Sequence, residues 1–319
     1  MKSIMKLTLG VCAALALTLS AAGDASAAGL AVSANDLAAK TRTSLKADID
    51  RAHVETPDLF RQVYDVAKHA GELDAASRRP GTPLTMHFKV LGPRALMPML
   101  ELLAFDGHAP AGVSQTAQAA LRVGLVEAVG IIRDGRAVPV LARIVMKERD
   151  VDTTHASADA LGRIGSDEAF SALVSALEAA ENGSGAGGTD RINAILAGVG
   201  SARRLDGVKL LAKRLDARPD AVTARAIAKA LGTAGNAWAW KTLPNRDAES
   251  AVREQAAKSL VKAYVAYTAE ARTAASTALL VVDAPQTPSL ITEARRTASS
   301  DQQSALDDLT ARLAKNPTR

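Results

Sequence analysis

Residues 128–141 read AVGIIRDGRAVPVL, and residues 160–173 read ALGRIGSDEAFSAL. In both stretches an apolar segment ends near a glycine, a short polar stretch follows, and a second apolar segment begins near an alanine. Glycine adopts the left-handed conformation in which many helices end, and proline, here Pro139, is tolerated in a first helical turn. Each stretch therefore predicts the end of one helix at its glycine, a tight turn and the start of a second helix.

Related stretches recur at a regular interval. Residues 230–236 read ALGTAGN, and residues 195–200 read ILAGVG as a looser copy. The equivalent positions lie 32, 35 and 35 residues apart, at 130, 162, 197 and 232. A period in this range is typical of one helix pair per repeat, in which each pair buries one apolar stripe against its neighbours.

The composition favours the same fold. Hydrophobic residues make up 48% of the chain but aromatic residues only 3%, so the core must consist mainly of Ala, Leu, Val and Ile. Alanine is the best helix former, whereas sheets are rich in aromatic and β-branched residues. Apolar side chains also recur at helical spacing, at Leu121, Leu125, Ala128 and Val129 and at Val208, Leu211 and Leu215. We therefore predict an all-α fold, an α-solenoid of antiparallel helix pairs.

Two short motifs carry a resemblance to a known family. They are the turn A-[LV]-G-x-[IA]-x, at residues 128–133 and 160–165, and the helix start A-x-P-x-L at residues 137–141. These motifs resemble HEAT repeats, specifically the short bacterial kind called phycobilisome-lyase-like. The resemblance is clear over residues 113–245 and weaker over the rest of a predicted array at residues 84–282. It implies a fold and little about function, because such repeats serve unrelated roles.

The N-terminus has the pattern of a secretory signal peptide at residues 1–27. Lys2 and Lys6 precede an apolar run at residues 7–19, which is too short to cross a bilayer comfortably. The small-x-small pattern that ends at Ala27 predicts cleavage after that residue. The mature protein is therefore predicted to be periplasmic or secreted, with no transmembrane segment.

Three further segments fall outside the predicted array. Residues 28–83 predict a charged, helical lead-in, with Pro57 in a first helical turn. Residues 182–189 are rich in glycine and predict a flexible linker, either a hinge or an inserted loop. Residues 283–319 begin with a proline-containing helix break and predict a polar, partly disordered tail with one helix near residues 304–315.

The sequence shows no catalytic or metal-binding motif. Cys12, the only cysteine, lies within the predicted signal peptide, so the mature chain has no thiol nucleophile. There is no G-x-S-x-G elbow and no phosphate-binding loop. No histidine is at metal-ligand spacing or is followed by Glu, as in the di-iron hydroxylase built on this repeat; the five are His53, His69, His87, His108 and His155. We therefore predict that the chain is not an enzyme and holds no metal or cofactor.

Basic residues concentrate in one segment. Between Ser201 and Ala230 the net charge is +5, as large as that of the whole chain. The sequence allows two interpretations, a basic ridge aligned across adjacent repeats or an ordinary solvated face. Trp238 and Trp240 point apart on one helix, so at most one lies in the core. The other is either an exposed anchor for a partner or held in a cramped position between helices. The predicted partner-binding residues are Arg203, Arg204, Lys209, Lys213, Arg225, Lys229, Trp238 and Trp240.

These features predict an exported scaffold that binds a protein or an anionic envelope component through its concave, partly basic surface. Export, and the lack of aromatic residues interleaved with the basic ones, argue against a nucleic-acid partner. Two alternatives stay open. One is an enzyme, or an enzyme subunit, whose Asp, Glu and His site is assembled across repeats; the other is an envelope protein that acts by self-association.

Overall fold

The computed structural model describes residues 29–105, 113–183 and 188–316. Within these ranges the regular secondary structure is helical, and no strand is present. The prediction of an all-α fold is therefore confirmed. The predicted signal peptide and the centre of the glycine-rich linker, residues 184–187, lie outside the described residues.

The helices follow one another with short connections. The first five are α1 (Ala39–Glu55), α2 (Pro57–Lys68), α3 (Ala70–Ala76), α4 (Thr85–Lys89) and α5 (Leu96–Ala104). The next six are α6 (Gln115–Ile132), α7 (Val138–Lys147), α8 (Val151–Ile164), α9 (Asp167–Glu181), α10 (Gly188–Ser201) and α11 (Leu205–Asp216). The last six are α12 (Ala221–Gly235), α13 (Ala237–Lys241), α14 (Glu249–Ala266), α15 (Ala269–Val282), α16 (Thr287–Arg295) and α17 (Ser300–Ala314).

Consecutive helices alternate between two layers. Helices α6, α8, α10, α12 and α15 pack side by side in one layer, and α7, α9, α11, α14 and α16 follow them in the other. Each pair, such as α8 with α9, buries apolar side chains between the layers. This arrangement is the predicted α-solenoid of antiparallel helix pairs.

Side-chain caps and prolines set where these helices begin. At the start of α6 the Ser114 hydroxyl accepts the Ala117 N–H at 3.2 Å, and at the start of α8 the Asp150 carboxylate accepts the Thr153 N–H at 2.9 Å. Each cap satisfies a backbone donor that the first helical turn leaves without a partner. Pro139 lies in the first turn of α7, as predicted.

Glycines allow close packing in the layer that contains α6, α8 and α10. A Cβ atom at Gly130 would lie 2.7 Å from the Cβ of Ala160, and one at Gly198 would lie 2.7 Å from the Cβ of Ala158. Helices α6, α8 and α10 approach this closely because these positions have no side chain. In the other layer the ring of Phe170 lies between α9 and α11. The inner layer of a curved stack is the more closely spaced one, so we infer that the α6–α8–α10–α12–α15 layer is the concave side.

The motif glycines do not end their helices, contrary to the prediction from the sequence. Helix α6 continues past Gly130 to Ile132, and Arg133 takes the left-handed conformation with a φ of 60°. Helix α8 passes Gly162 in the same way and ends before Gly165, which has a φ of 68°. That prediction was wrong because close approach of neighbouring helices, and not helix termination, is what requires glycine at the motif position.

A buried arginine and a partly buried one cap the C-terminal ends of two helices. The Arg191 guanidinium donates to the carbonyl oxygens of Val145, at 2.5 Å, and Met146, at 2.7 Å, at the end of α7. Burial lowers the pKa of Arg191 from its usual range. Arg253 donates in the same way to the Val282 carbonyl oxygen, at 3.0 Å, at the end of α15. Both arginines satisfy carbonyl groups that have no partner within their own helix.

The helices beyond α15 differ from the predicted polar tail. Helix α16 buries Ile291 and packs against α14, and α17 buries Leu306 and Leu309. The Tyr264 hydroxyl of α14 donates to the Ala305 carbonyl oxygen at 2.9 Å. These residues therefore extend the stack by two helices, α16 and α17. These helices were not evident from the sequence, because a terminal helix has one side in water and needs few apolar residues to pack against the stack.

Candidate functional site

A groove runs along the concave side between α12 and α15. Its volume is about 730 Å³, within the range of ordinary ligand pockets. The floor is apolar and consists of Gly232, Ala274, Ala278 and Val281. A Cβ atom at Gly232 would lie 2.9 Å from the Cβ of Ala278, so the two helices touch along the floor and open above it.

Polar side chains border the groove. At one end the Arg225 guanidinium lies 2.7 Å from a carboxylate oxygen of Glu270, which joins the two helices. One turn further along α12, the exposed Lys229 has no ion-pair partner among the described residues. Thr273 on α15 is also exposed at the rim. The groove thus offers an apolar floor, one available ammonium group and a hydroxyl.

The structure separates the two predicted lysine and arginine pairs. Arg225 and Lys229 line the groove on the concave side. Lys209 and Lys213 are exposed on α11, which belongs to the other layer, so they face away from the groove. A single basic ridge is not formed because consecutive helices of a repeat alternate between the layers.

Arg204 is engaged within the stack. Its guanidinium lies 2.7 Å from a carboxylate oxygen of Asp167 and 5.0 Å from the centre of the Phe170 ring. These contacts tie the start of α11 to the start of α9. Arg203, next to it, is partly buried and lies near Arg133. Both arginines were predicted to bind a partner; Arg204 serves packing between repeats instead.

The two tryptophans have opposite environments. Trp240 is 3% exposed, and its indole N–H donates to the Ala234 carbonyl oxygen at 2.8 Å. Trp238 is 59% exposed, with the Lys241 ammonium 4.1 Å from the centre of its ring. Trp240 is therefore a core residue and, contrary to the prediction, is not available to bind a partner. Trp238 is the exposed one of the two.

A polar cluster at the N-terminal end was not found from the sequence. The nearly buried Glu101 of α5 has its carboxylate oxygens 3.0 and 3.1 Å from Nε2 of His53, at the end of α1. The Tyr64 hydroxyl of α2 donates to the same carboxylate at 3.2 Å, and the His53 ring stacks on Phe60. Three different helices supply these groups, so no linear motif could reveal them. Glu101 within the apolar sequence LMPMLELLA of α5 was the only signal.

No group of three or more His, Cys, Asp or Glu side chains among the described residues is placed to hold a metal ion. No described helix has the length and hydropathy that crossing a membrane requires.

Comparison with known proteins identifies no family for this chain. No family model matches the chain, and no curated protein matches it. Among solved structures it is similar to human deoxyhypusine hydroxylase in complex with glycerol, with 14% identity and a TM-score of 0.27 over 82% of this chain and 99% of that one. A likeness this distant carries no argument about residues or reaction, whereas the stacked helix pairs are visible directly. The fold is a HEAT-like helical repeat.

The prediction that the chain is not an enzyme was wrong to rest on linear motifs. The similar structure is that of a hydroxylase, which is a property of that protein, and the lack of linear motifs in this chain does not support the exclusion. The reasoning failed because a motif search finds only residues close in sequence. The cluster of His53, Tyr64 and Glu101 shows that this stack brings distant polar groups together.

Proposed function

We propose that this protein is an exported HEAT-like repeat protein that binds an acidic, partly apolar segment of a partner protein in the α12–α15 groove. The observation that carries the proposal is the groove itself: an apolar floor on the concave side, bordered by Lys229. From Arg225 to Asn236 the groove follows α12 for about 16 Å. An extended segment of about five residues has that length.

The charges favour an acidic segment. Glu270 neutralises Arg225, but Lys229 keeps its charge without a partner among the described residues. A carboxylate of the bound segment would pair with Lys229 at the rim, while its apolar side chains cover Ala274 and Val281 on the floor. Aligned charges of this kind set the register and the selectivity of a complex more than its affinity.

A peptide library displayed on phage tests this proposal with purified protein. Selection should enrich peptides that combine an acidic residue with apolar ones, and Lys229→Glu should weaken their binding by about tenfold or more. Lys213→Glu is the matched control, because Lys213 is equally exposed on the opposite layer, and it should leave binding unchanged. Failure to enrich such peptides, or equal binding to both variants, would refute the groove as the binding site.

Export is the part of the proposal that rests on the sequence. The charged, apolar and small-residue regions of residues 1–27 support it. Cell fractionation should find the protein outside the cytoplasm, and N-terminal sequencing should begin at Ala28. A cytoplasmic protein that retains Met1 or begins before Ala28 would contradict export without affecting the groove.

A second candidate function, catalysis, is favoured by the cluster at His53. A carboxylate that accepts a hydrogen bond from one imidazole nitrogen orients the ring, as general-base catalysis requires. Glu101 is in position to do this for Nε2 of His53, whose side chain is 44% exposed. A panel of reporter esters, phosphomonoesters and glycosides would test it. Hydrolysis lost in His53→Gln supports catalysis, whereas no turnover, or equal turnover by wild type and variant, contradicts it.

A further inference from the structure

Three arginines lie together where successive concave-side helices end. Arg133 directly follows α6, and Arg163 lies in the last turn of α8. Gly130 packs against Ala160, and each arginine comes three residues after one member of that contact. The two residues therefore lie at about the same level on neighbouring helices. Arg203 follows α10 at the same edge, with a left-handed φ of 50°. We call Arg133, Arg163 and Arg203 the arginine cluster.

A hydrogen-bonded chain fixes part of the arginine cluster. One carboxylate oxygen of Asp159 accepts the Nε–H of Arg163 at 2.6 Å, and the other accepts the Ser201 hydroxyl at 2.6 Å. The Arg203 guanidinium donates to the Ser201 carbonyl oxygen at 3.3 Å. Asp159 thus positions Arg163 directly and Arg203 through Ser201, and its own two oxygens are engaged.

The arginine cluster keeps an excess of positive charge. Other charges at this edge are paired, Arg136 with Asp134 and Arg204 with Asp167, each at 2.7 Å. Of the charges that act on Arg203, those of Arg133 and Arg163 are positive, and that of Asp159 is negative. Arg133 is exposed and has no ion-pair partner among the described residues.

Two observations show that this charge is incompletely compensated. Burial, and after it the positive charge of Arg133, lowers the pKa of Arg203 from its usual range. The carboxylate of Asp159 opposes this shift, and Arg163 adds to it. The buried Nε–H of Arg203 also has no hydrogen-bond acceptor among the described residues. Uncompensated like charges around a buried donor are typical of sites that bind an anion.

We propose that the arginine cluster binds a phosphate group, either free inorganic phosphate or a phosphomonoester. A guanidinium presents its N–H donors in a planar fork that fits two phosphate oxygens at once, and a dianion would neutralise the excess charge. The exposed Arg133 and Arg163 leave the site open to solvent, so a phosphate at the end of a larger molecule fits as well as a free one. This site lies at the ends of α6, α8 and α10 and does not depend on ligand binding in the α12–α15 groove.

Isothermal titration calorimetry with the full mature chain tests the proposal. Inorganic phosphate and glycerol phosphate are titrated separately at constant ionic strength, with chloride as the competing anion. Arg133→Gln should raise the Kd about tenfold, the expected loss for one charge-assisted contact. The variant should fold, because Arg133 makes no ion pair in the described structure. Arg296→Gln, at an exposed arginine after α16, is the matched control and should leave the Kd unchanged.

The outcomes separate the possible ligands. Binding of both compounds, weakened by Arg133→Gln, supports a phosphate group carried by an ester, and binding of inorganic phosphate alone supports the free anion. Binding of neither compound at millimolar concentration overturns the proposal. Equal weakening by Arg133→Gln and Arg296→Gln overturns it as well, because it would show a general charge effect.

Discussion

Adding one methyl group at Gly198 should destabilise the fold, although alanine is normally the better helix residue. A Cβ atom there would lie 2.7 Å from the Cβ of Ala158 and still closer to its backbone. Carbon atoms pack at about 3.5–4.0 Å, so α8 and α10 would have to separate by roughly 1 Å. Overpacking of this kind costs about 1–3 kcal/mol. The helical preference for alanine returns about 0.5–1 kcal/mol, so we expect Gly198→Ala to lose about 1–2 kcal/mol.

Urea unfolding followed by circular dichroism at the helical band measures this loss. Gly71→Ala is the matched control, since Gly71 lies in α3 and no atom comes within 4 Å of the position of an added Cβ. That variant should be as stable as the wild type or slightly more stable. If Gly198→Ala were stabilised like Gly71→Ala, the close contact between α8 and α10 would not exist. The α6–α8–α10–α12–α15 layer would then not be the more closely spaced of the two, and it would not be the concave side.

Further predictions concern three other parts of the stack. Arg191→Met removes the donor for the carbonyl groups at the end of α7 and should cost about 3 kcal/mol in urea unfolding; a change below about 0.5 kcal/mol would contradict its capping role. A hydrogen bond from Lys147 lowers the pKa of Asp36, so this pair stabilises the fold above the ordinary pKa of Asp and loses its effect as the pH falls. Asp36→Asn should therefore cost up to about 1 kcal/mol at pH 7 and nothing near pH 2, and an equal cost at both values would refute the pairing. Acrylamide should quench the exposed Trp238 strongly and the buried Trp240 weakly, so Trp238→Phe should remove most of the quenchable emission; strong quenching that persists in Trp238→Phe would contradict these assignments.

The sequence predicted the architecture because repetition and helical spacing depend on local patterns. Leu121, Leu125, Val208 and Leu211 are buried as their spacing indicated. The role of Gly130 was misassigned, because a glycine inside a helix and a glycine that ends a helix look alike in one sequence. The two kinds of glycine can be distinguished only from the position of the neighbouring helix.

The candidate site was predictable only in part, because its residues come from different helices. Arg225 and Lys229 were identified from their charge and spacing, and both line the groove. Lys209 and Lys213 have the same spacing but lie on the opposite layer, a distinction that depends on helix alternation. Glu270, which neutralises Arg225 across the groove, is 45 residues away along the chain. Nothing in the sequence around Glu270 indicates this role.

Photocrosslinking in the native host tests the proposed binding groove most directly. A photoreactive amino acid would replace Thr273, exposed at the rim of the groove, or Lys213, exposed on the opposite layer. The proposed function predicts an adduct with one defined partner protein from position 273 and none from position 213. Adducts of equal yield from both positions, or from position 213 alone, would contradict binding in the α12–α15 groove.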